Sequence, residues 1–284
     1  MKKTWKILAF ILALTMLFSL AGCSSFESKM AKAVKKMGQL QSVHMDMDMH
    51  MELSMSMLGQ SLDMDMSMTS AMDLQSEPMR SRIEMTTNLM DMNQQMLMYL
   101  EQSGEEYTVY LSLDEGASWE KQTMTAEEVP AQSGNLDQNL KMFVDCAKSF
   151  EEAGKESVNG SSATRYDGEI SGESIQTALE LSGAKEMLGE SLGTELDEDA
   201  FTDLGGIPCS VWIDDKSGMV VRYDMDMTAI MQSLMEDMID EVLSSQGLEG
   251  IEMKLDFKEI TASAVLSQFD QIGEIVIPDA AKAA

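Results

Sequence analysis

From Val43 to Met57 the chain alternates without a break. Val43, Met45, Met47, Met49, Met51, Leu53, Met55 and Met57 hold one parity, and His44, Asp46, Asp48, His50, Glu52, Ser54 and Ser56 hold the other. A period of two is the period of a strand, so this pattern predicts a ribbon with a thioether face and a polar, largely acidic face. Gly59–Ser61 reads as a turn. Leu62–Met68 then alternates again, with Leu62, Met64, Met66 and Met68 on one side and Asp63, Asp65 and Ser67 on the other. Two alternating runs around a turn predict a long antiparallel hairpin.

Ahead of the hairpin the period is helical. Phe26, Met30, Val34 and Met37 recur at turns of a helix, and Lys29, Lys32, Lys35 and Lys36 give it a basic side. After it, Pro78 breaks the pattern. Further strands are predicted at Arg80–Leu89, Gln94–Glu101, Tyr107–Leu113 and Trp119–Met124, with turns at Ser103–Glu106 and Asp114–Ser118. Leu136–Phe150 is helical in period. "NGSS" turns between strands Glu151–Val158 and Ala163–Ile170. Short helices follow at Glu173–Leu181 and Ala184–Leu192, then an acidic loop, Glu195–Asp203. A hairpin of Ile207–Asp214 and Met219–Met227 precedes a helix over Thr228–Leu243, with Thr228 as its candidate cap. Two last strands are predicted at Ile251–Ile260 and Ile272–Ile277. Antiparallel strands with helices in separate blocks make an α+β fold around one large curved sheet. No Pro/Ser-rich linker divides it.

The first 22 residues stand apart. Lys2, Lys3 and Lys6 precede an apolar run, Ile7–Leu20, which has the length of a secretory signal and is short for a membrane span. The run ends in Leu20-Ala21-Gly22-Cys23, which resembles the lipobox of bacterial lipoproteins. That resemblance implies lipidation of Cys23, removal of residues 1–22, and one domain over 23–284 outside the cytoplasm. Two acyl chains on one residue anchor a protein stably, because each buried methylene adds roughly 0.8 kcal/mol.

Charge narrows the partners. The formal charge is −29, and loss of Lys2, Lys3 and Lys6 with the signal makes it −32. Such a surface repels nucleic acid and anionic headgroups. Only Cys146 and Cys209 remain beside Cys23. In an oxidising compartment they either pair or sit as two small buried apolar groups. Their spacing matches no metal motif.

Several segments carry a resemblance that spans most of the mature chain. They are the helix after the lipobox, the long early hairpins, "SVNGSSATRYDGEISG" (Ser157–Gly172), "VWIDDKSGMVVRYDMDM" (Val211–Met227) and "EIVIP" (Glu274–Pro278). Together they are similar to the LolA/LppX-like envelope lipoproteins, including a poorly characterised Gram-positive branch. The resemblance implies an unclosed half-barrel: a strongly curved antiparallel sheet lined by apolar side chains, with helices plugging its concave face. It implies carriage of lipid or lipoprotein and supplies no catalytic residue.

Catalytic chemistry is not visible in the residues either. The only histidines are His44 and His50, and no nucleophile elbow, phosphate loop or zinc-helix motif is present. The methionines are the distinctive feature: sixteen of 30 fall between Met45 and Met98. Thioethers are soft ligands suited to Cu(I), but M-x-M here follows from alternation, and the histidines lie on the opposite face. No metal ligand set and no cofactor is assigned. Methionine is also flexible and polarizable, the character of a surface that adapts to varied apolar partners. The expected protein is therefore a monomeric, non-catalytic, membrane-anchored lipoprotein that binds or carries a hydrophobic ligand. The candidate cavity wall is Met45, Met47, Met49, Met51, Met64, Met66, Met68, Met85, Met96 and Met98. A Cu(I)-binding or oxidation-buffering protein and a structural surface lipoprotein are the alternatives.

Overall fold

The computed structural model describes residues 25–57, 60–90, 92–125, 140, 143–175, 205–235 and 253–284. The chain begins with helix α1, Phe26–Met37. The Ser25 hydroxyl accepts from the Ser28 N–H at 3.4 Å, Glu27 sits in the first turn, and Lys35 and Lys36 occupy the last. Each placement complements the helix dipole. Phe26, Met30, Ala33 and Met37 are buried, so the predicted apolar stripe is the packed one.

Among the described residues eleven strands form one antiparallel sheet. The first six are β1 (Ser42–Met57), β2 (Gln60–Ser76), β3 (Met79–Leu89), β4 (Met92–Ser103), β5 (Glu106–Ser112) and β6 (Glu120–Thr125). The remainder are β7 (Glu151–Val158), β8 (Ser161–Ile170), β9 (Ile207–Asp214), β10 (Val220–Asp226) and β11 (Met253–Ser267). Their spatial order is β6-β5-β4-β3-β2-β1-β11-β10-β9-β8-β7. Two meanders thus meet where β1 pairs with β11, and the edges β6 and β7 do not pair with each other. This is the unclosed α+β half-barrel expected.

Local chemistry explains the hairpins. Between β7 and β8 the loop is Asn159-Gly160, with φ of 49° and 79°. Two consecutive positive φ values make the primed turn whose twist suits a two-residue hairpin. In the β9–β10 turn, the buried Asp214 carboxylate accepts from the N–H groups of Lys216 and Ser217 at 3.1 and 2.5 Å. Its neighbour Asp215 accepts from Lys155 at 2.7 Å, Thr164 at 2.6 Å and Ser162 at 2.8 Å. The W-I-D-D-x-S-G segment is therefore a turn tied to the β7–β8 hairpin.

Three expectations need correction. Strand β2 runs on from Met68 to Ser76, and β11 from Ile260 to Ser267. Their inward positions there include Ser70, Ala262 and Ala264, too small to register as apolar alternation. Ile272–Ile277 is not a strand. It crosses the sheet as an extended strap whose backbone is met by side chains. Ile272 N–H donates to the Ser42 hydroxyl, Ile275 N–H to Gln75, and the Ile275 carbonyl accepts from Arg80. Thr228 does not cap its helix. The Asp226 carboxylate accepts from the Thr228 N–H at 3.0 Å, while the Thr228 hydroxyl accepts from the Ile260 N–H at 2.9 Å and ties the helix start to β11.

Helix Thr228–Leu243 is described only over residues 228–235, and Leu136–Phe150 only in part, ending in a 3₁₀ turn at Ala147–Ser149. Predicted helix Ala184–Leu192, most of Glu173–Leu181 and the loop Glu195–Asp203 lie outside the described residues. Among the described residues no helix is long and apolar enough to cross a membrane. A last short helix, α2 (Asp279–Lys282), closes the chain.

Candidate functional site: a two-faced sheet

Directly opposed residues in an antiparallel pair point to the same side of the sheet. The register therefore sorts every strand into two faces. Met45 lies between Met72 of β2 and Leu266 of β11, and Met47 between Ser70 and Ala264. Met49 lies between Met68 and Ala262, and Met51 between Met66 and Ile260. Leu53 faces Met64, Ser70 faces Met85, Met85 faces Met96, and Ile83 faces Met98. All ten candidate methionines thus share one face. Met72, Ile83, Ile260, Ala262 and Ala264 complete it and were not among the candidates. The two alanines carry little hydrophobic signal but leave room beside Met47 and Met49.

The wall is not uniform. At one end Met45 is buried in the main core with Phe26, Met30, Val211 and Leu266, and Met47 and Met72 pack against that core. Further along β1 and β2, the methionines at 49, 51, 64, 66 and 68 are only partly buried and, among the described residues, lie outside the core cluster, as do Met85, Met96 and Met98. On the same face are two buried hydroxyls without a hydrogen-bond partner among the described residues, Ser70 Oγ and Ser81 Oγ. A buried donor left unmade costs about 1–3 kcal/mol.

The opposite face is polar. His44 bridges two strands, with Nδ1 2.7 Å from Asp73 and Nε2 3.1 Å from Asp46. Burial works against the imidazolium, but the Asp73 and Asp46 bonds outweigh it and raise the His44 pKa. Across β8–β10, Arg165 and Arg222 sandwich the Trp212 ring at 5.2 and 4.7 Å. The Trp212 indole donates to Glu156 at 3.0 Å, which together with Arg165 holds that carboxyl below its usual range. Burial opposes ionisation of Asp167, yet bonds from Arg165 and Ser210 keep its pKa low. Asp48, His50, Arg165, Asp167, Arg222 and Asp224 help line a cavity of about 700 Å³ on this face. A second cavity, about 480 Å³, lies between the α1 lysines and Thr164, Tyr166 and Asp214.

The two cysteines left open by the sequence are free and buried. Burial pushes the Cys209 thiol far above its ordinary pKa, so it is an inert apolar group.

The fold and its two faces define a half-barrel with an apolar wall. The comparisons place the chain within a family. Residues 25–284 match the model of a family of unknown function, DUF6612, and the chain belongs to that family. No curated protein matches it. Among solved structures it is similar to the lipoprotein LppX of Mycobacterium tuberculosis, at 13% identity over 88% of this chain and 98% of that one, with a TM-score of 0.43. It is also similar to LprF from Mycobacterium bovis, at 13% identity over 90% and 96%, with a TM-score of 0.49. A lipoprotein-sorting domain from Vibrio parahaemolyticus is matched at 9% identity over 84% and 89%, with a TM-score of 0.20.

Proposed function

We propose that this protein is a non-catalytic envelope lipoprotein, anchored through Cys23, that binds or carries a hydrophobic ligand against its methionine wall. One observation carries the reading. Among the described residues, eight methionines on a single face of β1–β4 stand outside the packed core, and their neighbours on that face are largely apolar. Unbranched thioether chains conform to irregular apolar shapes, such as acyl chains, at little packing cost. The signal-like start and the Leu20-Ala21-Gly22-Cys23 sequence support the anchor and an extracytoplasmic location. The acidic composition argues against nucleic acid as a partner.

The test is native mass spectrometry and organic extraction of the chain purified from its membrane fraction. Stoichiometric co-purifying lipid is expected. It should fall sharply when Met49, Met68 and Met85 are replaced by Glu, which puts charge on the wall. Lipid content unchanged by those substitutions rejects the assignment. Incorporation of labelled fatty acid should be lost in Cys23→Ala. Direct cross-strand pairs such as Met49–Met68 and Met51–Met66 favour Cu(I) as the second reading. That reading predicts reduced-copper affinity that disappears when these four residues become Leu.

A further inference from the structure

The polar face holds an arrangement that neither the apolar wall nor the anchor uses. Glu52 of β1 stands directly between Asp65 of β2 and Glu259 of β11. Three carboxylates in a row across three strands repel one another. Lys258, which the bulge after Glu52 inserts into β11 beside this row, is already bonded to Asp63 at 3.2 Å. Glu259 accepts from the Thr261 hydroxyl at 3.3 Å. The imidazole of His50, two residues from Glu52 and on the same face, approaches it with Nε2 3.5 Å from Oε1.

Ligand atoms of His50, Glu52 and Asp65 all lie within 4.8 Å of one another. Nitrogen and oxygen ligands bonded at zinc distances and tetrahedral angles stand about 3.4 Å apart, so the His50–Glu52 separation is already that of two donors on one ion. The geometry points to a divalent transition-metal site at His50, Glu52 and Asp65. An imidazole with two carboxylates is the donor set of zinc and its neighbours, rather than the all-oxygen set of calcium or magnesium. A 2+ ion offsets the carboxylate row, which a single imidazolium does only in part. Three protein ligands leave coordination positions open for water or a small anion. His50 also lines the 700 Å³ cavity with Ser67, Asp226 and Thr261, so polar groups surround it.

The site stands independently of the hydrophobic ligand. Its test is calorimetric titration of Zn²⁺ into the chelator-stripped full-length chain in detergent, at pH 7.5. One saturable site is expected. Its affinity should fall roughly tenfold or more in both His50→Asn and Glu52→Gln, and stay within twofold in His44→Asn. Circular dichroism of each variant separates ligand loss from misfolding. Three results overturn the site: no saturable binding to the native chain, binding that survives either substitution, or displacement of Zn²⁺ by hundredfold Ca²⁺. The last would mark a simple carboxylate surface.

Discussion

Phe150 lies so close to Gly168 that a Cβ at residue 168 would come within 2.5 Å of the Phe150 Cγ and 2.8 Å of both its Cδ atoms. The ring is also stacked on Phe26 of α1, with centroids 4.6 Å apart. Gly168 is thus the floor on which the α1 contact rests.

Gly168→Ala should therefore destabilise the fold by about 1–3 kcal/mol, the usual cost of overpacking. The effect should be largely absent when Phe150 is already Leu, because the clashing ring is gone. Urea unfolding of the two single variants and the double variant measures the coupling. Additive effects would show that the glycine acts through its backbone alone.

His44 makes the stability depend on pH. Its folded pKa is raised by Asp73 and Asp46. The stabilisation is then complete below the unfolded value of about 6.5 and is lost as pH climbs through the higher folded value. Unfolding midpoints should decline from pH 6 upward in the native chain. In His44→Gln the decline should be shallower. An identical slope in both would assign the pH dependence elsewhere.

Buried serines should split by sign. Ser81 Oγ has no hydrogen-bond partner, so Ser81→Ala removes an unmet group and should stabilise by about 1 kcal/mol. Ser112 is equally buried, but its oxygen accepts from the Gly116 N–H at 2.8 Å and its hydroxyl meets Asp114 at 2.8 Å. Ser112→Ala should destabilise by about 1–2 kcal/mol. Thermal midpoints of the pair decide it, and loss of stability in both would show that water or a ligand completes Ser81.

Cys209 should resist thiol reagents in the folded chain at pH 8. It is buried, and its pKa lies far above that pH. Iodoacetamide followed by peptide mass spectrometry should find it modified only after denaturant is added. Rapid labelling without denaturant would mean that β9 opens locally.

Much of this architecture is legible in the residues. Strict alternation shows β1 and the start of β2 at once, because large apolar chains fill every inward position. Asn159-Gly160 marks its hairpin by the positive φ that both residues accept. What fails is local signal with a non-local cause. Ala262 and Ala264 face inward on β11, but methyl groups look neutral in a pattern of size and polarity. Ile272–Ile277 is rich in β-branched residues like a strand, and nothing in it says that side chains rather than a neighbouring strand meet its backbone. The ten wall methionines share a face because each strand keeps its own parity. Asp65, Glu52 and Glu259 come together only through cross-strand register, which one-dimensional spacing does not contain.

The pairing of His44 with Ser267 sits in the middle of the sheet, yet it joins strands from opposite ends of the chain. Each meander on its own pairs strands that follow one another in the chain. Joining them must wait until almost the whole polypeptide is present, and closing so long a loop is slow. Until that loop closes, the β1 and β11 borders lack their partners. The seam is the last part to form, and the greasy side of the sheet becomes continuous only when it does.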